Sequence, residues 1–185
     1  MFGNLFKSRP EKQTAETLYR GIVTAARQPV LYQDGGVDDT IEGRLELVML
    51  HAALVILVLR DSEEERAREV SQQLFDTMFD DFDAAMRELG VGDSALGKKI
   101  RHIAKGFYGR AQTYGEALDT EDAAALADDL ARNVFASEAV DERAERLSVY
   151  VNAALSALRE QGAQALVDGA DPAFPDARAA LSSLA

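Results

Sequence analysis

Apolar residues recur along most of this chain at the three- and four-residue spacing of a helix buried along one face. No run alternates with the period of two that a half-buried strand would show. The first helix is expected over residues 14–27, with Leu18, Ile22 and Ala25 inward and Pro29 as its stop. Residues 30–36 then read as a glycine-punctuated loop with room for one short extended piece. A second helix begins near Asp38-Asp39-Thr40, where any of the three side chains is able to cap the free amides. From Leu45 to Leu59 only Glu46 and His51 interrupt apolar residues. A membrane span needs ~20 mostly apolar residues, so this stretch is too short and reads as the central helix of a bundle, apolar nearly all round.

Ser62-x-x-Glu65 has the form of a capping box, opening a third helix with Val70, Leu74, Phe75, Met78, Phe79, Phe82, Met86 and Leu89 inward. Gly90 ends it, and Asp93 or Ser94 caps a fourth helix with Leu96, Ile100, Ile103, Phe107, Ala111, Tyr114 and Leu118 inward. Thr120 starts a fifth (Leu126, Leu130, Val134), and a sixth begins near Asp141 (Leu147, Tyr150, Val151, Leu155, Leu158) and closes at Gly162. A short apolar piece follows, then Gly169, Pro172 and Pro175. The pattern predicts an all-α, single-domain bundle of about six to seven helices. Residues 14–168 form the helical domain, 1–13 a flexible leading segment and 169–185 an irregular tail.

Composition changes this picture little. With 47% hydrophobic and 28% charged residues in 185, the chain suffices for one core and is not a disordered sequence. The absence of cysteine excludes a disulfide framework, a thiolate metal site and a cysteine nucleophile. Twenty basic against 32 acidic residues give a net charge of −12, so no specific nucleic-acid partner is expected. The opening Met1-Phe2-Gly3-Asn4-Leu5-Phe6-Lys7 lacks the apolar core and cleavage site of a secretory signal, and a cytoplasmic location is expected.

Charge is unevenly distributed. Asp76, Asp80, Asp83 and Arg87 share one flank of the third helix at about 100° per residue. Such a carboxylate row suits either ion pairs with Arg87 and a neighbouring helix, or Mg²⁺ as in all-α prenyl-transferring enzymes. The second case needs a facing acidic cluster, for which Asp128-Asp129 is the one candidate. The fourth helix is the opposite: Lys98, Lys99, Arg101, Lys105 and Arg110, with no acid between Ser94 and Gly115. Lys98, Arg101 and Lys105 point away from the apolar stripe, either as a docking face for a membrane surface or partner or as a complement to the Asp76 row. His51 has only His102 as a fellow histidine and reads as a satisfied core residue. Gly90-Val91-Gly92-Asp93 lacks the strand and the lysine–serine pair of a phosphate loop, and reads as an interhelical turn. No catalytic, cofactor-binding or metal-ligating set stands out.

Ordered motifs then bring a family into view. Leu18-Tyr19, Ile22-Val23 and Ala26-Arg27-x-Pro29 lead into Val37-Asp38-Asp39-Thr40, Gly43-Arg44 and Leu50-His51. Further along stand Arg87-Glu88-Leu89-Gly90-Val91-Gly92-Asp93, Gly97-Lys98, Phe107-Tyr108-Gly109-Arg110, Tyr114 and Ala117-Leu118. In this order and spacing the chain resembles the ubiquinol–cytochrome c chaperone family, whose pattern also expects acids at Asp76, Asp80 and Asp83. The resemblance implies a helical assembly factor without catalytic residues or cofactors that holds the cytochrome b apoprotein for the respiratory bc1 complex. It further implies a second small assembly factor as partner and work near the inner membrane, on whose cytoplasmic face this protein would be peripheral. It marks Asp76, Asp80, Asp83, Arg87, Gly90, Gly92, Asp93, Lys98, Phe107, Tyr108 and Arg110 as candidate interaction residues. A generic helical adaptor is the alternative.

Overall fold

The computed structural model describes residues 10–182, among which nine helices and no strand are found. Six are long: α1 (Pro10–Ala26), α3 (Ile41–Arg60), α4 (Glu65–Glu88), α5 (Asp93–Asp119), α6 (Ala123–Asn133) and α7 (Glu142–Gln161). The all-α expectation therefore holds. The helices beyond the anticipated six or seven are short: α2 (Pro29–Gln33), α8 (Ala163–Val167) and α9 (Ala177–Ser182).

α3 lies at the centre. Residues 47–55 and 57–59 are buried on every side, because α1, α4, α5, α7 and α8 all pack against it. Thr40, of the three possible caps, accepts from the Gly43 amide at 3.1 Å, while Asp39 pairs with Arg44 at 2.6 Å. Gly43 is required, since a Cβ there would stand 2.1 Å from the Asp38 carbonyl oxygen. His51 has no exposure at all, and both ring nitrogens are occupied, Nδ1 by the Leu47 carbonyl and Nε2 by the Tyr150 hydroxyl, each at 2.7 Å. Burial pushes its pKa down to about 4, so the ring is neutral. A carbonyl only accepts, so Nδ1 carries the proton and Tyr150 donates to Nε2.

Several boundaries differ from the sequence expectation. α1 begins at Pro10 rather than residue 14, because proline suits the first helical position and Glu11 meets the helix dipole there. Thr14 is already inside, with its hydroxyl 3.4 Å from the Val167 carbonyl. Pro29 ends α1 and also opens α2, replacing the expected loop, and buries Val30 and Leu31. The capping box at Ser62 does not form: Glu64 is the N-cap, and Ser62 Oγ accepts from the Glu64 amide at 3.2 Å. Neither does a side chain cap α5, whose N-cap is Gly92. α6 starts three residues after Thr120, with Asp122 accepting from the Ala125 amide at 2.9 Å, whereas Asp141 caps α7 as expected.

The largest difference concerns residues 169–182, expected to be irregular. They are irregular only as far as Asp176, and they are packed. Pro172 lies against Gly21, where a Cβ would stand 2.5 Å from its Cδ. Phe174 meets the His51 ring edge-on at 4.9 Å, and Ala177 and Leu181 are buried. Glutamine side chains do what helix hydrogen bonds do elsewhere. Gln28 accepts from the Ala177 amide at 2.8 Å and donates to the Pro175 carbonyl at 3.3 Å. Gln161 holds the Asp171 carbonyl and the Ala173 amide, both at 2.8 Å. Such side-chain ties leave no periodic signature.

Tyr150→Phe deletes the donor to His51 Nε2 and leaves a buried nitrogen unpaired, which costs about 1–3 kcal/mol. A fall in Tm of roughly 3–10 °C is expected in thermal melts, and an unchanged Tm would show that the bond contributes nothing.

Candidate functional site

The residues singled out in the sequence gather on the α4–α5 hairpin, but they divide into three groups. The first builds the corner. Gly90, at φ 80°, ends α4, with its amide bonded to the Arg87 carbonyl and the Val91 amide to the Met86 carbonyl, both at 3.0 Å. Arg87 then spans the turn, reaching Asp83 on α4 and Asp93 in the first turn of α5, each at 2.6 Å. The guanidinium so closes the corner that Gly92 leaves uncapped by any side chain.

The second group is an aromatic seam between the two helices. Phe75 and Phe79 of α4 meet Phe107 and Tyr108 of α5, and Phe82 packs edge-on against Phe79. Phe107 is buried and lies 5.7 Å from Phe75 and 6.3 Å from Phe79, while Tyr108 stacks on Phe75 at 5.0 Å and stays 57% exposed. Exposed Leu89 stands at the corner end.

The third group is charge. Asp76 and Asp80 are exposed, and so are Lys98, Lys99, Arg101 and Lys105. Asp76 accepts from Gln72 on its own helix at 2.9 Å. No ion pair joins the acidic row to these cations among the described residues, so of the two readings open for the cations the complement to the Asp76 row is not realised. The reason is geometric: the lysines lie opposite the apolar stripe of α5 and point into solvent. Nor is a metal site assembled. Asp128 and Asp129 are both held by Arg132 of their own helix, at 3.1 and 2.5 Å, and no group of three or more acidic or histidine side chains is placed to hold an ion among the described residues.

Arg110 behaves differently from the other cations. It turns inward and gives α3 a single bond, Nη2 to Glu46 Oε1 at 2.8 Å. Both side chains are largely covered, and Glu46 Oε2 and Arg110 Nε are buried without partners. Burial, against the pull of Arg110, pushes the Glu46 carboxyl up to about 7. Glu46 shows in the sequence only as the lone acid of the apolar run in α3; nothing there paired it with Arg110, 64 residues away. Asp81, which accepts from the buried Tyr19 hydroxyl at 2.7 Å, was missed for the same reason. Phe2, Leu5, Phe6, Lys7 and Arg9 lie outside the described residues.

A single-domain helical bundle with a charged, aromatic-seamed hairpin is the class these features define. The model of the family described as ubiquinol–cytochrome C chaperone matches residues 33–173, and the chain belongs to that family. The crystal structure of the Cbp3 homolog from Brucella abortus is similar throughout: TM-score 0.81 and 36% sequence identity over 91% of this chain and 92% of that one. A search of the curated proteins finds no match. Membership in a chaperone family implies a role other than catalysis. No helix among the described residues is long and apolar enough to cross a membrane.

The raised Glu46 gives a pH prediction. Its folded carboxyl titrates near 7 and its unfolded one near 4.5, so between these values the folded state keeps a proton that the unfolded state has released. Stability from this group is therefore full below about pH 4.5, falls as pH rises through the window and levels off above 7, a difference on the order of 3 kcal/mol. Glu46→Gln keeps an oxygen for Arg110 and removes the titration. Wild type should lose stability relative to the variant between pH 5 and 8 in denaturant titrations, and parallel curves would contradict the assignment.

Proposed function

We propose that the protein is an assembly chaperone for the respiratory cytochrome bc1 complex, holding newly made cytochrome b before its cofactors are inserted. The observation that carries this reading is the family match across residues 33–173, supported by the 36% identical fold of the Brucella abortus Cbp3 homolog. The α4–α5 hairpin supports it physically. Its corner is held by Arg87, while Tyr108, Leu89 and a row of unpaired charges remain free for contact. Release by a second small assembly factor or by cofactor insertion needs only modest affinity, which such a surface provides. Deletion of the gene should lower cytochrome b in immunoblots and the bc1 haem signal in difference spectra, and spare other respiratory complexes. Normal bc1 content in a clean deletion would overturn the reading.

In the same reading Lys98, Arg101 and Lys105 meet anionic lipid headgroups, which places the protein peripherally on the cytoplasmic face of the inner membrane. Each cation near such a surface contributes ~1 kcal/mol, and the gain fades with salt. The net charge of −12 keeps the contact weak. In flotation with anionic vesicles at low salt, wild type should float and the triple change of Lys98, Arg101 and Lys105 to Glu should not. Equal behaviour of the two would end this part of the proposal.

A further inference from the structure

A holding chaperone needs apolar surface, yet few large apolar side chains are open on this one; Ile41, Leu89, Tyr108 and Val140 are scattered exceptions among the described residues. The richest apolar strip is covered. Phe75, Phe79, Phe82 and Met86 line one face of α4, and Phe107 of α5 lies over Phe75 and Phe79. We propose that residues 93–108 of α5 form a flap, hinged at Gly106–Gly109, whose opening bares this strip as the docking site for an apolar helix of the client. This rests on the chaperone reading above and names the site that the reading lacks.

The flap is weakly held in four independent respects. Its first turn has no side-chain cap. It contains Gly97 and is followed by Gly109, where a Cβ would meet nothing closer than 3.8 Å and nothing at all, respectively, and Gly106 makes room only for the Arg110 side chain of its own helix, so none of the three is there to let another element approach. Glycine inside a helix only weakens it, unless the helix must open or bend. Among its described residues only Leu96 and, at the hinge end, Phe107 are fully buried, with Ile100, Ile103 and Ala104 half-covered. Finally, Lys98, Lys99, Arg101 and Lys105 have no ion pair to lose on opening, and Asp93–Arg87 is the single polar tie to α4 among the described residues.

Beyond Gly109 the same helix is anchored. Arg110 reaches Glu46, and Tyr114, Gly115, Ala117 and Leu118 are buried. Gly115 does have a packing reason, a would-be Cβ standing 2.9 Å from Leu57. Asp119 is gripped by Arg60 and Arg159, both at 2.8 Å. The boundary between loose and fixed halves thus falls at the glycine pair.

The present occupant of the strip describes its successor. Leu96, Ile100, Ile103 and Phe107 lie at i, i+4, i+7 and i+11, and the flap is about 24 Å long. Some four turns of an apolar helix of membrane-spanning type fit that pattern and that length.

Hydrogen exchange read by mass spectrometry tests the hinge on the whole chain. Amides of residues 95–108 should exchange through an opening that leaves residues 47–59 protected. Gly97→Ala with Gly109→Ala should slow that opening roughly tenfold, and Leu96→Ala should speed it without deprotecting α3. A fluorescent, lysine-tagged leucine–alanine helix of about 20 residues serves as the client probe. Its affinity should fall in the double alanine variant and rise in Leu96→Ala. Exchange of residues 95–108 only together with α3, or equal probe binding by all three proteins, would overturn the flap. The two readings fail separately: normal bc1 content in the deletion strain leaves a measured flap standing, whereas a rigid α5 leaves the assembly role standing.

Discussion

Everything in this fold follows from a helix that has no polar side. Across residues 47–59 of α3, scarcely any surface tolerates water, so the chain must supply neighbours on all sides. α1, α4, α5 and α7 supply the long walls. α8 and the stretch from Pro172 to Leu181 close what remains, down to the Phe174 ring against His51. The same requirement explains why His51 is tolerated: Leu47 and Tyr150 occupy both nitrogens, and the ring stays uncharged.

α4 and α5 are walls with a second task. Their contact carries a seam of aromatic rings, and apart from the Arg87–Asp93 pair their charges are turned outward instead of toward each other. A wall of this kind seals α3 while leaving one half of α5 with little to hold it. The Glu46–Arg110 bond marks where the sealing half begins, and its two orphaned atoms show that α3 and α5 meet there with imperfect polar fit. Membership in the ubiquinol–cytochrome c chaperone family gives these features their context, since a holding protein must combine a stable frame with surface available to a client.

The candidate site was legible in part. Gly90, Gly92 and Asp93 stood out as a turn, and Arg87 beside Asp83 as a local pair, because residues a turn apart on a helix meet whatever surrounds them. Phe107 announced a hydrophobic contact but not its partner. The pairing of the Asp76 row with the α5 cations was plausible from charge alone and does not occur, because helix rotation turns the lysines to solvent. Charge counts carry no information about that rotation.

Local physics alone determined a good deal: helices where apolar residues recur, their central member, the stops at Gly90 and Gly162, and the cap at Asp141. These depend on the backbone and on neighbours within a turn or so. Only the tertiary structure decided that residues 169–182 are packed, that Glu46 faces Arg110, and that Tyr19 reaches Asp81. Each joins positions from 62 to about 150 residues apart, and the polar atoms involved acquire partners only after the helices have docked. Gln28 illustrates the difference. In the sequence it is an unremarked residue before a proline; in the folded chain its amide holds the C-terminal stretch in place.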